Sequence, residues 1–108
     1  MSTRLQYADA VTERPVLDRL QWWYRSNCDG DWEHTYGVDI GNLDNPGWSI
    51  RIALEDTGLE SRQFEKVEIE RTEEDWVHPW VEANYWNAAT GRLNLIEALS
   101  LFLAWAEA

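Results

Sequence analysis

One short segment of the chain gathers most of the residue types that could do chemistry. Residues 28–34 read Cys-Asp-Gly-Asp-Trp-Glu-His, so a thiol, three carboxylates and an imidazole lie within seven positions. Carboxylates and imidazole are plausible ligands for a divalent cation. The calcium-loop pattern, however, needs a glycine at its sixth position and a glutamate at its twelfth, and the glycine here is misplaced. The sequence therefore favours a helix cap followed by a strand over a metal site, and it predicts no cofactor.

Two catalytic interpretations of this segment remain as alternatives. Cys28 could be the nucleophile of a sulfurtransferase-like enzyme, and Asp31 or Glu33 could act opposite Asp44 as the paired carboxylates of a glycosidase. A reactive cysteine needs a nearby positive charge or a helix N-terminus, whereas Cys28 follows a predicted helix and precedes Asp29. We therefore expect a buried structural thiol and a protein that is not an enzyme, with a small enzyme as the alternative.

The composition narrows the classes of function further. The chain has 108 residues with nine Lys or Arg and 20 Asp or Glu, which gives a net charge of −11. This charge disfavours binding to nucleic acid and to anionic membranes. Eight tryptophans and an apolar fraction of 44% are enough for a single core. One cysteine and the lack of a long apolar run predict a cytoplasmic protein with no internal disulfide, signal peptide or membrane span.

The negative charge is concentrated in the middle of the chain. Residues 29–60 contain eight of the acidic residues and one basic residue, Arg51. We expect the outward side of a sheet to carry many of the acids, with others at its edges: Glu33, Asp39, Glu55, Glu68 and Glu70 on the face, and Asp29, Asp31 and Asp44 at the edges. Such a surface would steer the protein toward a basic partner.

Hydrophobic periodicity predicts the elements of the N-terminal half. A helical stripe predicts a helix over about 15–27, with Pro15 at its start and Gly30 as its stop. Residues 32–40 alternate between apolar and polar side chains, which predicts a strand. A turn over 42–47 and a second alternating run over 48–54 then predict an antiparallel hairpin.

The C-terminal half is predicted in the same way. A third strand is expected over about 64–72 with Val67 and Ile69 inward, followed by an edge or broken strand over 76–86, because it contains Pro79. Residues 87–91 are predicted to be a loop. A last helix follows, for which Asn94 and Glu97 have capping-box spacing.

These elements predict an α+β fold in a single domain over residues 1–108. Its antiparallel sheet has about four strands, and an N-terminal and a C-terminal helix pack on one face and leave the other face open. Residues 1–13 are expected to form a flexible or loosely packed tail.

Partner binding is the function that these features favour. Trp22 lies opposite the apolar stripe of its helix, where it is either an exposed anchor for a partner or covered by the N-terminal tail; Trp80 or Trp86 is a further candidate anchor. The residues predicted to bind the partner are one tryptophan expected at the surface and five acids: Trp22, Asp29, Asp31, Glu33, Asp39 and Asp44. An alternative is a homodimer through the C-terminal helix, which is apolar beyond what one core contact needs.

Two strings of residues resemble the immunity protein 53 family of bacterial polymorphic toxin systems. They are CDGDWEH at 28–34 and LDNPGW at 43–48, and the pattern of Leu95, Leu99, Phe102 and Trp105 is similar as well. The resemblance spans about residues 16–106. It implies a non-catalytic cytoplasmic antidote that binds and neutralises a cognate toxin. Since many such toxins are nucleases with basic grooves, the partner is expected to be basic, and the acidic chain would mimic nucleic acid. Whether the two strings are structural or interfacial stays open.

Overall fold

The computed structural model describes residues 15–108, which form an α+β fold with two long helices and one sheet. The α+β prediction is confirmed, with five strands where about four were expected. The helices are α1 (Val16–Asn27), α2 (Trp32–Thr35) and α3 (Leu95–Ala106). The strands are β1 (Val38–Leu43), β2 (Gly47–Ala53), β3 (Ile69–Glu70), β4 (Trp76–Glu82) and β5 (Tyr85–Thr90). The predicted tail over residues 1–13 lies outside the described residues.

The five strands form one antiparallel sheet in the order β1-β2-β5-β4-β3. The predicted first hairpin is confirmed, and its register places Asp39 opposite Arg51. The two central strands, β2 and β5, come from different hairpins, so their pairing joins the two halves of the chain. None of the helices within residues 15–108 has the length and apolarity that a membrane crossing needs.

The second hairpin, β4–β5, differs from the prediction. Residues 76–86 are not one broken strand, and residues 87–91 are not a loop, because the chain reverses at Ala83 and Asn84. Both residues have positive φ, 53° and 66°, as a two-residue type I′ turn requires. Alanine rarely adopts this conformation, so the sequence carries no ordinary turn signal at this point.

Two of the predicted strands were also wrong in extent. Residues 32–35 form the single turn α2, and the first strand begins only at Val38. The third strand consists of Ile69 and Glu70 alone, and Val67, which was expected inward, is 42% exposed. Because β3 pairs only with the first two residues of β4, Pro79 faces an uncovered edge among the described strands, where its missing N–H breaks no ladder bond.

Both long helices pack on the same face of the sheet, as predicted. The centre of the core is an aromatic cluster in which the Phe102 ring contacts Trp23, Trp86 and Trp105 at centroid distances of 5.0, 5.3 and 6.2 Å. The expectation that Trp86 is an exposed anchor is wrong, since its side chain is 0% exposed. Its register partner is Ile52 on the other central strand, so it lies where both helices cover the sheet.

The start of α3 is fixed by side chains and not by the predicted capping box. The buried Asn94 amide makes no bond to the helix backbone; it donates to Asp75 Oδ1 at 2.8 Å and to Glu97 Oε1 at 3.1 Å. Arg71 pairs with both of these carboxylates. The hydrogen bond from Arg71, and then that from Asn94, lowers the pKa of Asp75. This cluster ties the β3–β4 turn to α3.

Candidate functional site

The loop between α1 and α2 is closed by two of the predicted partner-binding carboxylates. Asp29 Oδ1 accepts hydrogen bonds from the backbone N–H groups of Asp31 and Trp32, at 2.9 and 3.0 Å. The Glu33 carboxylate accepts from the N–H groups of Asp29 and Gly30, at 2.9 and 2.8 Å. Asp29 therefore binds the backbone where α2 begins, Glu33 bonds back to the loop before it, and the N-cap residue Asp31 makes no side-chain capping bond of its own.

These hydrogen bonds lower the pKa of both carboxyl groups. The pKa of Asp29 falls because the N–H of Trp32, and then that of Asp31, stabilises the charged form. The pKa of Glu33 falls through its own backbone N–H and then through those of Asp29 and Gly30. Both groups are ionised at neutral pH and hold the loop in shape.

The tryptophan of this segment fastens the loop to the core. Trp32 is 3% exposed, and its ring lies edge-on to Trp23 and Tyr24 with centroids 6.0 and 5.7 Å away. Its indole Nε1 donates to the Glu55 backbone oxygen at 2.8 Å. The string at 28–34 thus has a structural explanation in most of its residues.

The second string, at 43–48, has a similar explanation. A Cβ atom on Gly47 would lie 2.1 Å from the Thr90 backbone oxygen, so glycine alone fits beside β5. The Trp48 indole Nε1 donates to the Arg92 backbone oxygen at 3.0 Å and holds the loop that precedes α3. Both strings therefore hold loops in position. Asp39, the acidic residue between the two strings, takes no part in this role.

The remaining predicted site residues are exposed but do not form one cluster. Trp22 is 52% exposed on α1, and the Arg25 guanidinium lies 4.9 Å from its ring centroid. Asp31 lies in the loop before α2, Asp39 lies near the start of β1, and Asp44 lies in the turn after β1. Asp39 and Asp44 lie at opposite ends of β1, which is an edge strand of the sheet.

The catalytic alternatives find little support in the geometry. Cys28 is exposed, so the expectation of a buried thiol is wrong; its Sγ donates to the Tyr24 backbone oxygen at 3.4 Å. Glu33, one half of the proposed carboxylate pair, is occupied by backbone N–H groups. A thiol at the end of α1 has no helix N-terminus behind it to stabilise a thiolate.

Within residues 15–108, one cluster of three acidic side chains is compact enough to bind a single cation. Oxygens of Glu55, Asp56 and Glu60 lie within 4.8 Å of one another. The Asn84 amide already donates to Glu55 Oε1 at 2.8 Å and to Glu60 Oε2 at 3.2 Å. These contacts link the segment after β2 to the β4–β5 turn, so the cluster has a structural role.

The face of the sheet opposite the helices differs from the predicted acidic face. No described element covers it, and we call it the open face. Of the acids expected there, Asp39 and Glu70 lie on it, whereas Glu33 is on α2, Glu55 follows the end of β2 and Glu68 precedes β3. The strand register places mostly uncharged side chains on this face: Gly41, Leu43, Ser49, Arg51, Trp76, His78, Trp80, Glu82, Tyr85, Asn87 and Ala89.

A shallow groove crosses the open face. Three small residues lie side by side on adjacent strands, Gly41 on β1, Ser49 on β2 and Ala89 on β5. Leu43 and Trp80 rise on the two sides of this row, which therefore forms the floor of an open cleft. We call this cleft the groove.

The groove ends at an aromatic strip on β4. The rings of Trp76 and His78 have centroids 5.0 Å apart, and His78 Nε2 lies 2.9 Å from Glu70 Oε2. Next along the strand, the Trp80 indole Nε1 donates to Glu82 Oε1 at 3.1 Å. Half-buried aromatic rings and exposed carboxylates thus alternate along this end of the face. Among the three exposed anchors considered from the sequence, Trp80 is the one on this strip.

An open face was predicted, but its residues on β4 and β5 were not identified from the sequence because the β4–β5 hairpin was not recognised. Residues 87–91 were predicted to be a loop, so Ala89 had no place in a sheet. The alternation of Trp76, His78 and Trp80 with Val77, Pro79 and Val81 was present, and a turn at 83–84 would have revealed it.

Comparison with known proteins gives one match. The sequence model of a family described as Immunity protein 53 matches residues 17–107. This confirms the resemblance that the two strings indicated over about residues 16–106. No curated protein and no solved structure matches the chain.

Proposed function

The chain belongs to the immunity protein 53 family, and we propose that it binds a cognate toxin domain through an acidic surface and neutralises it without a reaction of its own. The family match over 17–107 is the observation that carries this proposal. The net charge of −11 supports a basic partner, as a nuclease groove would be. The site of action would be the cytoplasm, where the toxin would meet its target.

The proposed toxin-binding surface follows the β1 edge of the sheet. Asp31, Asp39 and Asp44 would supply the charge contacts, and Trp22 would be an apolar anchor beside them. Asp29 and Glu33 belong to the same surface. Because their oxygens are occupied by backbone N–H groups, they would act by presenting Asp31 and by adding to the local field.

Charge of this kind acts mainly on the rate of association. A field from several like charges steers an oppositely charged partner and raises the association rate constant by about 10- to 1,000-fold. Added salt screens the field, so the advantage falls as the ionic strength rises.

The test compares two charge-reversed proteins with the unmodified chain. The first carries Asp31→Lys, Asp39→Lys and Asp44→Lys, and the control carries Glu65→Lys at an exposed position away from this edge. Association with the toxin domain encoded next to this gene is followed by stopped flow at low and high salt. We expect the triple variant to associate at least about tenfold more slowly at low salt, with a smaller difference at high salt, and the control to change by less than about twofold.

The proposal fails if the unmodified chain does not bind that toxin domain. The acidic-edge part alone fails if the triple variant associates as fast as the Glu65→Lys control at low salt.

A further inference from the structure

We propose that the open face of the sheet receives a cationic segment of the toxin, with an arginine or lysine side chain lying in the groove. This inference rests on the proposed function, and it assigns to the toxin a contact that the acidic β1 edge does not supply. It also gives a role to residues on β4 and β5 that the core and the family strings leave unexplained.

The floor of the groove fits a side chain from another molecule. Gly41, Ser49 and Ala89 lie on three adjacent strands, which spaces them about 5 Å apart across the sheet. Space exists above them because a Cβ on Gly41 would meet its first described neighbour, Ser49 Oγ, only at 3.5 Å. Position 41 therefore has room for a side chain, and the glycine there leaves that space to a ligand.

The chemistry around the groove fits a cation. Trp80 and Asp39 line the groove, and Trp76 and the exposed acids Glu70 and Glu82 lie beyond it on the same face. A cation over an aromatic ring gains more when it is partly removed from water, as it would be against a sheet. Aromatic rings bordered by carboxylates are thus a recognition surface for arginine or lysine.

The open face already holds one such arrangement within the chain. The Arg51 guanidinium carbon lies 3.9 Å from the centroid of the Tyr85 ring. This contact shows that a guanidinium can stack on an aromatic ring of the open face. The groove lies beside this contact with Trp80 in its lining, and the one cationic side chain among the described residues that line it, Arg51, has its guanidinium stacked on Tyr85.

A second copy of this chain fits the face less well than a basic partner does. Two open faces in contact would bring Asp39, Glu70 and Glu82 of one copy near the same acids of the other. Each copy also carries a net charge of −11, so self-association works against long-range repulsion. A cationic partner gains from both features.

The experiment fills the groove without removing any packing. Ala89→Leu adds bulk to the floor, and Ala104→Leu adds the same bulk at an exposed position on α3, on the other side of the molecule. Ser49→Lys and Ser49→Glu place similar bulk in the groove with opposite charge. Each protein is first checked for an unchanged circular dichroism spectrum and a Tm close to that of the unmodified chain. Its Kd for the toxin domain is then measured by calorimetry.

We expect Ala89→Leu to weaken binding by at least about tenfold and Ala104→Leu by less than about twofold. Ser49→Lys should bind more weakly than Ser49→Glu by about tenfold, since it meets the incoming cation with like charge. Equal Kd values for Ala89→Leu and Ala104→Leu would overturn the docking site. A Ser49→Glu variant that binds as weakly as Ser49→Lys would overturn the cationic ligand.

Two further outcomes separate this inference from the proposed function. If the unmodified chain does not bind the toxin domain, the proposed function fails and the inference fails with it. If sedimentation of the chain alone shows a dimer that Ala89→Leu abolishes, the face is a self-contact and the inference alone is overturned.

Discussion

The two faces of the sheet are built from the same strands but have opposite characters. On β5, Trp86 and Ala88 point to the helices and are buried, whereas Asn87 and Ala89 point to the open face and are half-exposed. On β4, Val77 is buried while Trp76 and Trp80 lie on the open face. Alternate residues of one strand are thus divided between the core and a surface that no described element covers.

This difference separates the chemistry of folding from that of recognition. Aromatic rings on the helix-covered face contact one another, as Phe102 does with Trp23 and Trp86. Aromatic rings on the open face contact polar groups instead, as Trp80 does with Glu82 and Tyr85 with Arg51. We expect substitutions on the first face to change stability and those on the second to change binding.

The largest expected effect is at the centre of the covered face. Trp86→Ala should lower the free energy of unfolding by about 3–5 kcal/mol, because a fully buried large ring leaves a cavity. Trp80→Ala removes the same side chain from the open face and should cost about 1 kcal/mol or less. Urea denaturation measures both. Equal losses would show that the open face is part of the fold and would remove the contrast between the faces.

A second pair of substitutions tests whether the string at 43–48 is structural. Gly47→Ala should lower the free energy of unfolding by about 2–3 kcal/mol, since its Cβ would lie 2.1 Å from the Thr90 backbone oxygen and a strand must shift. Gly41→Ala, in the neighbouring strand, has room for its Cβ and should change stability by less than about 1 kcal/mol. Thermal unfolding of both variants is the measurement. A harmless Gly47→Ala would contradict the structural explanation.

A smaller effect is expected in the loop between the first two helices. Asp29→Ala removes the acceptor for two backbone N–H groups and should lower the Tm by a few degrees, whereas Asp31→Ala should leave it nearly unchanged. Because folding lowers the pKa of Asp29 below its ordinary value of 3.8, this stabilisation is complete above about pH 5. It is lost as the pH falls through the folded pKa.

The pH dependence of the same pair checks this account. The difference in Tm between Asp29→Ala and the unmodified chain should be largest near about pH 7 and should shrink below about pH 3. A difference that is constant over this range would contradict a role for the ionised carboxylate.

The smallest expected effect is at the exposed thiol. Cys28→Ser should leave both toxin binding and protection of cells unchanged, because Cys28 is exposed and its Sγ donates to the Tyr24 backbone oxygen one turn earlier in the chain. Growth of cells that express the toxin is the readout. Loss of protection by a variant that is folded and still binds the toxin would support the catalytic alternative.

The sequence predicted the fold class and the first hairpin because these depend on strong local signals. The helical stripe after Pro15 and the alternation after Pro46 predicted α1 and β2 nearly at their observed bounds. The β4–β5 turn was missed because Ala83 adopts a positive φ that only the surrounding sheet can enforce. The strand predicted at 32–40 begins only at Val38 because residues 32–35 form a turn of helix, in which the buried Trp32 makes a non-local hydrogen bond to Glu55.

The candidate site was predictable only in part for the same reason. The acids of residues 29–60 could be counted from the sequence, but their side-chain partners could not, so Asp29 and Glu33 seemed as available as Asp31. The open face required the register of β5 between β2 and β4, which is a non-local property.

The central claim is that this chain is a binding protein for a basic toxin domain. Its most direct test is the Kd of the purified chain for its proposed cognate toxin domain, measured at low and at high salt. We predict a one-to-one complex whose Kd rises by at least about tenfold between the two salt concentrations, as expected for a partner attracted by the net negative charge. No complex at low salt would contradict the claim.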